Sequence, residues 1–170
     1  ESRGLGDVYK RQVYGRRRVG KTTLINEFCR GKKTLSFTAL EQSDADNLAD
    51  FNRAIAGFFN LPTSIGGFSS WADALSFVAD RARTERFVFV FDEFPYAAMR
   101  NEALPSIFQV AIDRAFRETN AFLILCGSNQ GFMESNVLGR KSPLFGRRTA
   151  QIKVRDLGFR DAAKMLPGLS

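Results

Sequence analysis

The sequence predicts an open α/β fold built on a mainly parallel sheet. Short apolar runs alternate along the chain with longer segments of helical periodicity, which is the pattern of repeated strand–helix–strand units. Two of these runs, Phe87–Phe91 and Ala121–Cys126, are apolar without interruption. Strands of that kind must be covered on both faces, as the central strands of a parallel sheet are. The chain has 170 residues, enough for one domain with a substantial core.

The expected strands are marked by apolar or alternating runs. Thr34–Leu40 alternates weakly, whereas Val13 and Tyr14 end a strand that leads into a Gly-containing loop. The full set is Val13–Tyr14, Thr34–Leu40, Phe87–Phe91, Ala121–Cys126 and Ala150–Val154.

The expected helices are marked by capping residues and by apolar side chains at helical spacing. Ser43 and Ser70 each precede an amphipathic segment and can cap it, and Pro105 suits the first turn of a helix. The full set is Thr22–Arg30, a helix after Ser43 that reaches Phe59, a helix after Ser70 that reaches Ala82, Leu104–Glu118, Gln130–Leu138 and Phe159–Leu166.

Composition excludes several classes of site. The chain contains no histidine, which rules out Ser-His-Asp and Cys-His nucleophiles and the common histidine-containing zinc sites. A catalytic base must therefore be a carboxylate or a lysine. Cys29 and Cys126 fit no CxxC spacing, so we interpret them as small buried thiols in a reducing compartment.

Charge and hydropathy indicate which kinds of molecule this protein can bind. No apolar run approaches the roughly 18 residues of a membrane span, and no signal-peptide pattern opens the chain, so we expect a cytoplasmic protein without a membrane partner. The net charge of +7 fits phosphate handling, and nucleic-acid binding is the less favoured alternative.

The segment Gly15–Thr22 satisfies the pattern G-x-x-x-x-G-K-[ST] in full. Backbone N–H groups must converge on phosphate oxygens, so side chains are excluded at its glycines. The following helix N-terminus favours anions, Lys21 reaches the β and γ phosphates, and Thr22 offers a hard oxygen to Mg²⁺. The predicted ligands of ATP are Gly15, Arg18, Val19, Gly20, Lys21, Thr22 and Thr23. Arg16–Arg18 are either solvated loop positions that help hold phosphate or nucleic-acid contacts.

Asp92 and Glu93 directly follow the apolar run Phe87–Phe91. Carboxylates at the carboxyl end of a central strand lie at the crevice where α/β sheets bind ligands. We expect Asp92 to hold the magnesium shell, and Glu93 to orient and polarise the attacking water, so that hydrolysis follows binding. The alternative is a strand end made polar for solubility.

Two further groups of polar residues are weaker candidates for contacts with the reacting phosphate. Ser128 and Asn129 follow the second apolar strand, where a polar side chain can bind the γ-phosphate or the attacking water; the alternative is an ordinary polar turn. Arg147, in the pair Arg147–Arg148 before the last expected strand, can stabilise charge on the transferring phosphoryl group or belong to a merely basic loop.

The two ends of the chain are not expected to belong to the core domain. Residues 7–12, DVYKRQ, resemble the translation of a transposon end used as a sequencing adaptor. We therefore expect residues 1–12 to be adaptor-derived, residues 13–157 to form the core domain and residues 158–170 to begin a truncated following helix. The alternative is that the N-terminal segment is a genuine polar first strand.

Four motifs in order resemble the archaeal-type P-loop ATPases, a branch near the STAND and AAA+ groups. They are VYGRRRVGKTTL at 13–24, FDEFPY at 91–96, LCGS at 125–128 and SPLFGRR at 142–148. The resemblance covers about residues 13–170 and implies a three-layer P-loop sandwich with an additional-strand sheet, the Asp92 strand lying beside the loop strand or one strand away. It also implies that the helical lid of such proteins is absent from this chain.

The same resemblance implies roles for individual residues. Lys21 and Thr22 correspond to nucleotide ligands. Asp92 corresponds to the residue that holds magnesium, and Glu93 to the residue that orients the attacking water. Arg147 takes the place of an arginine finger, and Ser128 or Asn129 that of a sensor. The resulting expectation is an ATPase that uses ATP and Mg²⁺, with a homo-oligomer supplying the arginine in trans. The alternative is a nucleotide-dependent switch or assembly module with little turnover, tied to DNA processing.

Overall fold

The computed structural model describes residues 10–14, 20–62, 64–137, 139–144 and 150–153. Those residues contain one five-stranded sheet in which every pairing is parallel, which confirms the predicted α/β class. The strands are β1 (Lys10–Tyr14), β2 (Thr34–Thr38), β3 (Val88–Asp92), β4 (Phe122–Gly127) and β5 (Ala150–Lys153).

The strand order is β2-β3-β4-β1-β5. Strand β4 therefore lies between β1 and β3, with Tyr14 paired to Gly127 and Phe91 paired to Leu125. Because all strands run the same way, β1, β3 and β4 end at one edge of the sheet. One strand separates the Asp92 strand from the strand that leads into the phosphate loop, as the additional-strand arrangement implies.

Two hydrophobic clusters cover the sheet, one on each face. The smaller cluster packs α1 residues such as Leu24 and Phe28 against Val90 and Cys126. The larger cluster, on the face that carries Phe89 and Phe91, takes in the remaining long helices. Side chains of β3 thus alternate between two buried faces, which explains why this strand is apolar throughout.

Six helices are described. They are α1 (Lys21–Cys29), α2 (Asp44–Phe59), α3 (Trp71–Ala82), α4 (Phe94–Arg100), α5 (Leu104–Val110) and α6 (Gln130–Phe132). The expected caps are present: Ser43 accepts a hydrogen bond from the N–H of Asp46, and Ser70 accepts one from the N–H of Asp73. No helix of the described ranges is long and apolar enough to cross a membrane.

Three helices differ from the sequence expectation. Helix α4 was not predicted, because seven residues are too few for periodicity to show. The predicted helix Leu104–Glu118 is wrong in its second half: α5 is α-helical only to Val110, and a π-helical turn follows over Ala111–Ala115. Likewise α6 runs on as a π-helical turn over Met133–Val137.

Strand β1 begins three residues before the expected start of the core domain at residue 13. Residues Lys10–Gln12 lie within β1, although the sequence analysis assigned them to an adaptor-derived segment; the origin of residues 1–12 stays a prediction. The expected helix Phe159–Leu166 lies outside the described residues.

Candidate nucleotide site

The start of α1 has the features of a phosphate-binding helix N-terminus. Gly20 precedes it with φ +87° and ψ 15°, a left-handed conformation that only glycine adopts without strain. The N–H of Leu24 donates to the Gly20 carbonyl at 2.9 Å, so the helix is regular from its first turn. That turn contains no acidic residue, so no side-chain charge there opposes an incoming anion.

The predicted ligands on this helix differ in burial. Lys21 is only 8% exposed, whereas Thr22 and Thr23 are exposed. A lysine is rarely this buried unless its ammonium group is paired with a group of opposite charge or a hydrogen-bond acceptor. Gly15, Arg18 and Val19, the other predicted ligands of the loop, lie outside the described residues.

Asp92 ends β3, half-buried, at the carboxyl edge of the sheet. Its Oδ1 accepts a hydrogen bond from the N–H of Glu93 at 2.8 Å. The same oxygen accepts one from the thiol of Cys126 at 3.2 Å. Both donors restrict rotation of the carboxylate, which is therefore held in a defined orientation.

Glu93 has an unusual backbone conformation. Its φ is 52° and its ψ 40°, the left-handed region, which costs a residue with a side chain about 1–2 kcal/mol. Such strain persists only where surrounding contacts enforce it, and it is frequent at functional sites. The turn at Glu93 sends the chain from β3 directly into α4 and aims its side chain toward the end of β4.

At the end of β4, Ser128 contacts Glu93 through two groups. The Ser128 Oγ lies 2.7 Å from Oε1 and 2.8 Å from Oε2 of Glu93, and the Ser128 N–H donates to Oε2 at 3.1 Å. Hydrogen bonds to an ionised carboxylate are stronger than neutral ones. The carboxylate of Glu93 is therefore tied to the neighbouring strand end.

Asn129, the other candidate for the sensor role, is engaged elsewhere. Its side chain is exposed, and its Oδ1 accepts a hydrogen bond from the N–H of Phe132 at 3.0 Å. Asn129 thus caps α6, whereas Ser128 faces the acidic pair. The sequence left these two residues as alternatives, and the structure separates their contacts.

Close packing behind the site depends on Gly127. A Cβ added at this residue would lie 2.5 Å from Cδ of Pro95 and 3.1 Å from Sδ of Met133, too near for any side chain. The end of β4 therefore packs directly against the first turn of α4. This packing brings Ser128 and Glu93, which lie on different elements, within hydrogen-bonding distance.

Cys126 of β4 lies between α1, which begins at Lys21, and the Asp92 strand. It is fully buried, and burial raises the pKa of its thiol well above the usual range; the Asp92 carboxylate raises that pKa further, as does Glu93, while the Lys21 charge lowers it. The Cys126 sulfur contacts Asp92, and Cys126 packs in the same cluster as the buried face of α1, the helix that begins at Lys21.

Sequence reasoning missed the contact made by Cys126, which it treated as a buried thiol of no further role. The signal that could have revealed it is register. Because Leu125 pairs with Phe91, the next residues of the two strands, Cys126 and Asp92, are also neighbours.

Thr22 and Asp92, the two predicted magnesium ligands, carry a hydroxyl and a carboxylate, both of which are hard oxygen ligands. Among the described residues, no group of three or more Cys, Asp or Glu side chains could hold a metal alone. A donor set of this size fits an ion that is bound through one or two protein oxygens, substrate phosphates and water, as Mg²⁺ usually is. Arg147, predicted to act on the phosphoryl group, lies outside the described residues.

Comparison with known proteins agrees with the P-loop fold. Residues 8–170 match a family described as an ATPase domain predominantly from Archaea. The uncharacterized protein MJECL04 of Methanocaldococcus jannaschii is 32% identical over 155 residues, which are 91% of this chain and 33% of that protein. The uncharacterized protein MJ0424 of the same organism is 37% identical over 57 residues, 34% of this chain and 55% of that protein. The chain thus spans about a third of the length of the first of these relatives.

Two solved structures share the fold. The Walker-type ATPase paby2304 of Pyrococcus abyssi superposes with a TM-score of 0.59 at 18% identity, covering 95% of this chain and 59% of that one. Cdc6p from Pyrobaculum aerophilum superposes with a TM-score of 0.58 at 18% identity, covering 89% of this chain and 40% of that one. With the family match over nearly its whole length and the P-loop sheet order, this chain belongs to the ATPase domain family found predominantly in Archaea.

Proposed function

We propose that this domain hydrolyses ATP in a magnesium-dependent reaction at the carboxyl edge of its sheet. The observation that carries the proposal is the buried Lys21 at the start of α1, a helix whose buried face packs against Cys126 of β4, while the Cys126 thiol contacts Asp92 at the end of β3. A cation for the phosphates, a carboxylate for the metal and a second carboxylate for water are the parts that phosphoryl transfer to water requires.

Nucleotide binding rests on α1. The N–H groups of its first turn point out of its N-terminal end, and Lys21 is its first residue. An ammonium group at this place neutralises charge on the β and γ phosphates, and the helix N-terminus adds roughly half a positive charge. Thr22 and Asp92 would hold Mg²⁺, which supplies electrostatic stabilisation of the phosphate oxygens when bound.

Glu93 acts on the attacking water in this proposal. Its carboxylate accepts a proton from water as the water oxygen bonds to the γ-phosphorus and the bond to the β–γ bridging oxygen breaks, which yields ADP and phosphate. Ser128 holds that carboxylate at the end of β4 and thereby limits its positions. The strained backbone of Glu93 supports this role, because such strain lowers the stability of the fold and is frequent where a side chain must be held in a particular position for function.

The test is ATP turnover and nucleotide binding by the intact protein and three variants. Lys21→Ala is expected to lose nucleotide binding, while Glu93→Gln is expected to bind nucleotide normally and to lose at least about a hundredfold in kcat. Glu118→Gln, a change of the same kind at an exposed residue, serves as the control and should match the parent. Turnover by Glu93→Gln at the parental rate would show that Glu93 is not the base.

A second candidate, a nucleotide-dependent switch with slow turnover, is favoured by one contact. Both carboxylate oxygens of Glu93 lie within hydrogen-bonding distance of the Ser128 hydroxyl, which competes with water for them. In a switch, this contact would break only when a partner or a neighbouring subunit engages the site. Slow basal turnover combined with strong nucleotide-dependent oligomerisation would favour this candidate over the first.

A further inference from the structure

Cys126 makes a contact that a space-filling residue would not need. It is the next-to-last residue of β4, which lies between the loop strand β1 and the Asp92 strand β3. Its side chain is fully buried in the cluster beneath α1. Its sulfur lies 3.2 Å from Oδ1 of Asp92 and 3.7 Å from the carbonyl oxygen of Phe91, both within the range of sulfur hydrogen bonds.

The thiol is a donor here and not a thiolate. Its sulfur lies 3.2 Å from Oδ1 of Asp92, and because a carboxylate oxygen only accepts, this hydrogen bond requires the proton to be on sulfur. A thiolate beside the Asp92 carboxylate would place two negative charges side by side in the interior. A protonated thiol removes that repulsion and adds a hydrogen bond.

We propose that Cys126 is a positioning residue for magnesium binding: its thiol donates to Oδ1 of Asp92 and fixes the carboxylate so that Oδ2 is presented to the ion. The inference rests on the magnesium role that the proposed function gives to Asp92. The second donor to the same oxygen is the N–H of Glu93, one residue away. This backbone donor cannot by itself prevent the carboxylate from tilting, whereas the thiol approaches from the neighbouring strand.

The competing explanation is that Cys126 only fills space between β4 and α1. A residue without a donor would then serve equally well if its volume were suitable. Alanine is smaller than cysteine and valine is larger, and both lack a donor, whereas serine keeps one. Comparing these three replacements separates the loss of the hydrogen bond from the loss or gain of volume.

The experiment measures the Mg²⁺ concentration at half-maximal binding of a fluorescent ATP analogue to the intact protein. We expect Cys126→Ala and Cys126→Val to raise this concentration by about three- to tenfold, the range of one lost hydrogen bond. Cys126→Ser should stay within about twofold of the parent. Cys29→Ala, at the half-buried cysteine of α1, should leave the value unchanged. Analogue binding without Mg²⁺ should be equal in all five proteins.

The outcomes distinguish this inference from the proposed function. If the parent binds the analogue with no dependence on Mg²⁺, the metal role of Asp92 is wrong and the proposed function fails. If the parent needs Mg²⁺ but the alanine and valine variants keep its half-maximal concentration, only the role of Cys126 is overturned. A rise in the alanine variant with none in the valine variant would mean that volume alone matters, and would overturn it as well.

A second measurement does not depend on the folding of the Cys126 variants. In the Cys29→Ala protein, the remaining infrared S–H stretching band belongs to Cys126. We expect this band to shift when Mg²⁺ and the ATP analogue are added together, because the cation draws charge from the acceptor carboxylate of Asp92. A band that does not move under saturating Mg²⁺ and analogue would contradict the inference.

Discussion

The hydroxyl of Ser128 bridges both carboxylate oxygens of Glu93, at 2.7 Å from Oε1 and 2.8 Å from Oε2. The two residues are 35 positions apart in sequence and follow different strands. Their contact requires both the left-handed turn at Glu93 and the close packing of Gly127 on Pro95. The position of the proposed catalytic carboxylate is therefore determined by the ends of two neighbouring strands together.

Ser128→Ala is expected to lower kcat about tenfold and to leave nucleotide affinity unchanged. The substitution removes the hydroxyl donor to a charged acceptor, while the N–H of Ser128 still donates to Oε2; a loss of about 1.5 kcal/mol corresponds to this factor. Steady-state ATP hydrolysis and equilibrium nucleotide binding check it, with the exposed Ser106→Ala as a matched control. A rise in kcat instead would mean that Ser128 restrains Glu93, and would support the switch.

Gly127→Ala is expected to destabilise the fold by about 1–3 kcal/mol, the usual cost of overpacking. The added Cβ would lie 2.5 Å from Cδ and 2.7 Å from Cγ of Pro95, so α4 or the end of β4 must move. Because that movement displaces Ser128 from Glu93, kcat should fall as well.

A double variant isolates the cause of this effect. Pro95→Ala removes the ring atoms that the new Cβ would meet, so the combination of Gly127→Ala with Pro95→Ala should recover part of the lost stability. Thermal unfolding of the two single variants and the double variant measures the coupling. Strict additivity of the two losses would show that the contact with Pro95 is not responsible.

Much of the fold could be predicted from local sequence patterns. The uninterrupted apolar character of β3 and β4 identified both as central strands, and Ser43 and Ser70 identified two helix starts, because caps and burial leave a local trace. Helix α4 was not predicted although Pro95 stands in its first turn, since seven residues show too little periodicity. The π-helical turn after Val110 was likewise invisible, because a pattern of apolar residues does not distinguish a wider helical turn from a regular one.

The sequence singled out candidate site residues but not their contacts. The phosphate-loop pattern and the acidic pair stand out because such sites need particular residue types at particular spacings, and their roles stay predictions. The choice between Ser128 and Asn129 was not readable, because it depends on which side chain the first turn of α6 uses as its cap. The contact of Cys126 with Asp92 was not readable either, because it depends on the strand order that places β4 beside β3, and sequence periodicity does not determine strand order.

Asn47→Ala is expected to destabilise the domain by about 2 kcal/mol. Asn47 is fully buried, and its side chain donates to the carbonyl of Leu40 and accepts from the N–H of Leu40 and from Gln42. Removing it takes away the acceptor of the Leu40 N–H and one of the two donors to the Leu40 carbonyl, which keeps its bond from the N–H of Gln42. Each lost hydrogen bond costs about 1 kcal/mol. Denaturant unfolding measures the loss, and Asn136→Ala, at an exposed asparagine, should have little effect. An equal, small change in both variants would contradict the structural role of Asn47.

A mixing experiment tests the prediction that Arg147 acts on the site of a neighbouring subunit. Arg147→Ala and Glu93→Gln are each expected to be nearly inactive alone, since an arginine in trans and the base are both needed. In a random equal mixture, about a quarter of the interfaces would combine an intact Glu93 with an intact Arg147 from its neighbour, and activity should return to about that fraction. The matched control mixes Glu93→Gln with Lys21→Ala: both lesions lie in the same nucleotide site, so no pairing of subunits restores a complete one. Recovery in the control, or none in the first mixture despite mixed oligomers, would show that Arg147 does not work across an interface.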